Sequence, residues 1–153
     1  GVGQMVETTV GGRLDAGRFT PLPLRARVTH LSDGRFISES NGARWDAGLS
    51  AVLEAGNVTW VVASKPVNLF DRSFFYAHGQ DPRRFDAVVV KSPHCQPHMF
   101  DEWAEVNVNV DVPGATSANL KTLGHTRCTR PIFPLDPEVS FTPRPQLFRR
   151  PEV

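Results

Sequence analysis

This sequence has almost no cysteine: two residues, Cys95 and Cys128, in a chain of 153. That excludes a disulfide-dense scaffold, and with no secretory context the pair reads as two reduced thiols. An excess of one charge is also missing. Seventeen basic residues stand against sixteen acidic ones, for a net charge of +1, which argues for no polyanion partner. No continuous basic stripe points to nucleic acid. No apolar run approaches the length of a membrane span, and no basic-then-apolar leader opens the chain, so a cytoplasmic protein with no membrane partner is expected. The chain opens on Gly1 rather than Met, which fits a fragment or processed piece. There is no internal repeat, no G-x-S-x-G elbow and no complete G-x-x-x-x-G-K-[ST] phosphate loop. The remainder is ordinary. At 40% hydrophobic and 22% charged, a chain of this length can bury the core of one domain.

The most informative stretch runs from Asp86 to Ser117. Ala87-Val88-Val89-Val90 is a short β-branched run of the kind found in strands buried on both faces. Val106 to Val110 alternates strictly and stops at the turn signal Asp111-Val112-Pro113-Gly114. Between them, Met99, Phe100 and Trp103 are spaced for one helix face, with Pro97 suited to a first turn. The gap is about a dozen residues, the least that a parallel crossover needs. The pattern predicts a right-handed β-α-β unit with its two loops side by side at the carboxyl edge, where open α/β sheets bind ligands.

Upstream, residues 6–64 read as antiparallel strands. Glu7 to Val10 is a strand closed by Gly11-Gly12, and 15–23 is a loop. Leu24 to Leu31 alternates, with His30 less clean, and meets Asp33-Gly34, a hairpin signal that predicts Arg35 to Glu39 as the return strand. Asn41-Gly42 is a second such turn, leading to a short strand at 43–47. Leu49 to Glu54 and Val58 to Ser64 flank the glycine loop Ala55-Gly56-Asn57. From Pro66 the character changes. Asp71 is a plausible N-cap for a short helix burying Phe74 and Phe75, with Gly79 at its stop, and Asp81-Pro82 starts another turn of helix. Thr116 or Ser117 caps a helix through Leu123. The tail, 137–153, is rich in proline and arginine and suits neither helix nor central strand. The fold class is α+β: an antiparallel β-rich half (6–64), a small α/β half (66–136) and an extended tail.

The candidate chemistry sits at the two loops. Lys91 and Ser92 end the first run; a lysine there reaches a carboxylate or phosphate as a point charge, and the serine bonds to the same group. The plainer reading pairs Lys91 with Asp111 and lets Ser92 cap its turn. Asp111, Gly114, Thr116 and Ser117 form a second loop, either a small anion cradle of backbone amides or simply a turn and helix cap. His94, Cys95 and His98 are a compact group of metal-ligand types. Their spacing matches no common zinc signature and Pro93 and Pro97 restrict their convergence, so incidental placement outranks a metal site. Ser92, His94 and Asp111 fail as a triad because serine and histidine lie too close along the chain, and no residue is assigned as catalytic. Trp45, Trp60 and Trp103 are expected in the core; His30, His78 and His125 are expected in turns or at the surface.

VVVKSPHCQPHMFDEWA, VDVPGATS and RPIFPLD, with GVG, VGGRLD and RVTHLSDGRF upstream in the same order, resemble the carboxyl-terminal region of the MlrC-like (microcystin-degradation type) metallopeptidase family. The resemblance covers 1–136. It implies an amino-terminal domain, outside this sequence, that carries the zinc and the catalytic groups, so zinc belongs to the parent enzyme and none is expected here. It further implies a small peptide or amide substrate, a contact with that amino-terminal domain and a homodimer or domain contact through the β-rich half. The alternative from the residues alone is a freestanding module that binds a small acidic ligand.

Overall fold

Alternating apolar residues need a second face to bury them, and the chain supplies it by pairing strands. A computed structural model gives the arrangement and describes all residues except 14, 18, 92–97, 113–118, 141 and 149–153. It divides into two units, Gly1–Val110 and Asp111–Val153. Among the described residues the first holds six strands: β1 (Met5–Val10), β2 (Leu22–Ser32), β3 (Arg35–Ile37), β4 (Arg44–Asp46), β5 (Ser50–Ala55) and β6 (Val58–Ala63). Four of them form an antiparallel sheet in the order β1-β2-β5-β6, and β3 and β4 form a separate two-stranded ribbon. With short helices added, the class is α+β. No helix among the described residues is long and apolar enough to cross a membrane.

Register decides which residues share a face, because side chains alternate across a strand. Val6 lies opposite Ala26, Val28 opposite Leu53, and Leu53 opposite Trp60. Together these make one apolar face, centred on buried Ala26, Val28 and Leu53. A bulge between Val28 and His30 inserts one unpaired residue. It moves His30 onto the opposite face, beside fully buried Val52, which is why His30 breaks the alternation of its strand.

Asp33-Gly34 does not turn β2 back on itself. The end of β2 nearest the turn pairs with β5, Leu31 opposite Ala51 and Ser32 opposite Ser50, while β3 pairs with β4, Phe36 opposite Trp45. The turn carries the chain out of the sheet into the ribbon. Gly34 has φ +72°, and a Cβ there would stand 2.0 Å from the Gly48 carbonyl oxygen. Only glycine fits.

The helices are short. α1 spans Ser73–Ala77 and α2 spans His98–Asp101, while 82–84 and 120–122 are single 3₁₀ turns. As expected, Asp81 caps the turn that follows it, accepting from the Arg83 amide at 3.1 Å. Phe100 is buried, and the Trp103 indole donates to the Met99 carbonyl at 3.0 Å.

The β-α-β unit is not formed. Ala87 to Val90 and Val106 to Val110 belong to no strand, and Val89, Val106, Val108 and Val110 are 87, 75, 74 and 69% exposed. Periodicity describes side chains only. A strand also requires a neighbour to take its backbone hydrogen bonds, and neither run has such a neighbour among the described residues.

In the second unit, Asp136 closes a loop: Arg130 Nε donates to its Oδ2 at 2.5 Å and the Ile132 amide donates to the same oxygen at 2.7 Å. The Arg130–Pro131 and Phe133–Pro134 peptides are cis. Residues 137–140 and 142–148 carry neither helix nor strand.

Candidate functional site

The strongest polar organisation in the first unit lies where α1 meets the ribbon. Asp71 is 3% exposed. Its Oδ2 accepts from the Ser38 hydroxyl at 2.5 Å and the Ser40 amide at 3.0 Å, and its Oδ1 accepts from the Ser73 amide at 2.9 Å. Burial alone would raise this carboxyl; the hydrogen bonds from Ser38, Ser73 and Ser40 outweigh it and hold the group at about 2. Ser73 Oγ in turn accepts from the Glu39 amide at 2.8 Å, and the Glu39 carboxylate takes the Arg72 guanidinium at 2.9 Å. The helix start is thereby tied to the β3–β4 turn at several points.

His78 lies one turn further along and is 1% exposed. It lies in the turn that closes α1, one of the two places expected for it, but it is not at the surface, because residue 78 stands four after Phe74 on the face turned to the sheet. Its ring is 4.6 Å from Phe74 and 6.1 Å from His30. Nδ1 lies 2.6 Å from the Phe74 carbonyl and Nε2 lies 3.2 Å from Ser32 Oγ. A carbonyl only accepts, so Nδ1 carries the proton and Nε2 accepts from the serine hydroxyl, an assignment that follows from the partners.

Serine, histidine and aspartate are therefore all present, yet they are not wired as a catalytic relay. The carboxylate binds Ser38, while the histidine is oriented by a neutral carbonyl. A relay needs the carboxylate on the histidine, and it needs the serine open to substrate. The Ser32 oxygen also accepts from the Gly34 amide at 2.8 Å. The cluster joins helix, sheet and ribbon. The N-cap of α1 is Arg72, not the expected Asp71, which takes the Ser73 amide from one residue upstream; the partners of Ser38 and His78, 33 and 46 residues away, have no local signal.

Of the residues expected to contact substrate, Lys91 is exposed, with its ammonium 5.0 Å from the Phe19 ring centre. Asp111 is exposed and accepts from Asn119 Nδ2 at 2.8 Å. Ser92, Gly114, Thr116 and Ser117 lie outside the described residues, as do His94 and Cys95; His98 opens α2. Cys128 is free and exposed. Among the described residues, no three His, Cys, Asp or Glu side chains converge to hold a metal. Trp45, Trp60 and Trp103 are each half-buried.

What the first unit displays most openly is apolar surface. Besides the exposed valines of 89–110, Leu49 is 80% and Leu31 52% exposed at one end of the sheet. Together with Ser50, Ala51, Val62, Ala63 and Ser64 they line a shallow open groove.

Comparison with known proteins follows the same line. A family model described as MlrC C-terminus matches residues 1–127. A crystal structure of a "Putative metallopeptidase" from Mesorhizobium sp. BNC1 superposes with a TM-score of 0.77 at 29% identity, covering 93% of this chain and 28% of that one. This chain thus spans 28% of the length of that relative. No curated protein matches.

Proposed function

The chain belongs to the MlrC C-terminus family, and from that membership we propose that it is the carboxyl-terminal accessory domain of a metallopeptidase-like amidohydrolase. In this reading it is not catalytic alone. An amino-terminal domain supplies zinc and the hydrolytic groups, and this chain shapes the substrate cleft or an oligomer contact. Lys91 and Ser92, with the loop holding Asp111, Gly114, Thr116 and Ser117, face that cleft and position a small peptide or amide.

The observation that carries the proposal is the exposure of Val89, Val106, Val108 and Val110, which lie in β-forming runs with no partner strand among the described residues. Exposed apolar side chains gathered in short runs of this kind are suited to an interaction surface. A freestanding module for a small acidic ligand would be expected to close its surface with polar groups, and these valines count against it.

A chimera tests the reading. The matched 28% of the Mesorhizobium chain is replaced by this chain, and peptide-amide hydrolysis and metal content are compared with the truncated protein and with this chain alone. Hydrolysis is expected only in the chimera, with zinc held by the Mesorhizobium portion. The reading fails if the folded chimera is as inactive as the truncation. It fails equally if this chain alone holds about one zinc that His94→Ala or Cys95→Ala removes, the stoichiometry of a resident site.

A further inference from the structure

The two edges of the four-stranded sheet are unlike. β1, Met5–Val10, carries Glu7 at its centre, within 3.9 Å of Arg25 on the neighbouring strand. β6, Val58–Ala63, reads VTWVVA and has no charge, no proline and no glycine. It pairs with β5 alone, and among the described residues no other backbone group bonds to its outer side. Proteins normally blunt a free edge with charge, proline or a bulge, because the open row of N–H and C=O groups templates another strand. β6 uses none of these devices. A six-residue uncharged segment of high β-propensity is also the type that pairs with its own copy.

We propose that the β6 edge is the homodimer contact of this protein, pairing antiparallel with β6 of a second copy about a twofold axis. The sequence is self-complementary in that mode. With Trp60 on the axis, Thr59 stands opposite the partner's Val61 and Val58 opposite the partner's Val62. Paired positions then have the same parity, so both sheets turn the same face to the same side. Val58, Trp60 and Val62, on the apolar face with Leu53, continue across the axis into the partner's row. Val58, now 51% exposed, gains an apolar neighbour.

The contrast between the edges explains why such pairing stops at two. A twofold contact leaves β1 at both outer ends of the combined sheet, and β1 is the edge that carries charge. Head-to-tail pairing of β6 onto β1 would instead propagate into an open fibre, and it would take solvent from the exposed Glu7–Arg25 pair. A second copy fits the bare edge without that penalty.

The dimer deepens the oligomer contact in the function proposed above, but its test does not depend on catalysis. Sedimentation equilibrium on the full chain across micromolar concentrations is expected to show a reversible dimer. Val58→Lys and Thr59→Lys are each expected to weaken self-association by about tenfold or more, a change of one decade in Kd. Thr9→Lys, on the opposite edge, is expected to leave it unchanged. Amide hydrogen exchange supplies a second measurement on the unaltered protein: β6 amides facing away from β5 should become protected as concentration rises. A monomer at every concentration overturns the proposal. So does a dimer that both β6 lysine variants retain, or one whose outer β6 amides gain no protection. A dimer without hydrolysis in the chimera sinks the enzymatic reading and leaves this one standing; the reverse outcome separates them as clearly.

Discussion

The Ser38 hydroxyl donates to Asp71 Oδ2 at 2.5 Å, across 33 residues of sequence. One serine on the ribbon thus satisfies a carboxylate at the start of α1, and the same oxygen takes the Ser40 amide. A buried carboxylate is tolerable only when such donors replace its lost hydration. Here three donors converge, and the helix and ribbon are held together by the need to satisfy one charge.

Asp71 should therefore set the acid limb of stability. Its folded value, about 2, lies below the ordinary 3.8, so the ionised form is favoured by the fold. The contribution is fully present above pH about 4 and is lost as pH falls through about 2, a total on the order of 2 kcal/mol. Urea unfolding at stepped pH should show this loss, and Asp71→Asn should lower stability at neutral pH and flatten the acid limb. An unchanged acid limb in Asp71→Asn would assign the sensitivity to another group.

Gly34 and Gly42 make a matched pair. Both have positive φ, +72° and +69°, but a Cβ meets the Gly48 oxygen at 2.0 Å in the first case and nothing within 4 Å in the second. Gly42→Ala should cost about 1 kcal/mol, the price of the left-handed conformation alone. Gly34→Ala adds a backbone clash and should cost about 3 kcal/mol or more. Equal losses in chemical denaturation would mean that the corner can shift to make room.

His78→Phe preserves a ring between Phe74 and His30 but leaves the Phe74 carbonyl and Ser32 hydroxyl without their partner. A loss of about 1–3 kcal/mol is expected by thermal or urea unfolding. His125→Phe, at an exposed position, should change stability by less than about 0.5 kcal/mol.

Val108→Asp separates docking from folding. At 74% exposure the side chain contributes little to this chain, so its unfolding free energy should move by less than about 0.5 kcal/mol. In the Mesorhizobium chimera the same change should reduce hydrolysis by about tenfold or more, the effect of a charge placed in an apolar contact. A fully active Val108→Asp chimera would place the domain contact elsewhere.

Several elements were legible because they are local. The glycine-bearing turn between β5 and β6 (Gly56-Asn57), the turn at Asn41-Gly42 and the turn after Asp81 each follow from a few adjacent residues and from turn and capping chemistry. The alternation of β2 gave its inward face correctly as far as Val28. The bulge that turns His30 to the other side is a mismatch between two strands, and β2 alone contains no trace of it. The parallel strand pair expected to end at Lys91 and Asp111 is not formed among the described residues; Lys91 lies against Phe19 and Asp111 takes Asn119.

By itself, the sequence determined the antiparallel strands, their turns, the short helices and, through its ordered motifs, the family. Those properties depend on neighbours along the chain and on side-chain period. Only the tertiary structure decided that Asp33-Gly34 leads out of the sheet, that His78 is buried against Ser32, that Asp71 binds Ser38, and that the valines of 87–110 join no strand among the described residues. Each of these depends on whether a hydrogen-bonding edge or partner is available at a distance, and a strand's own residues do not specify what lies beside it.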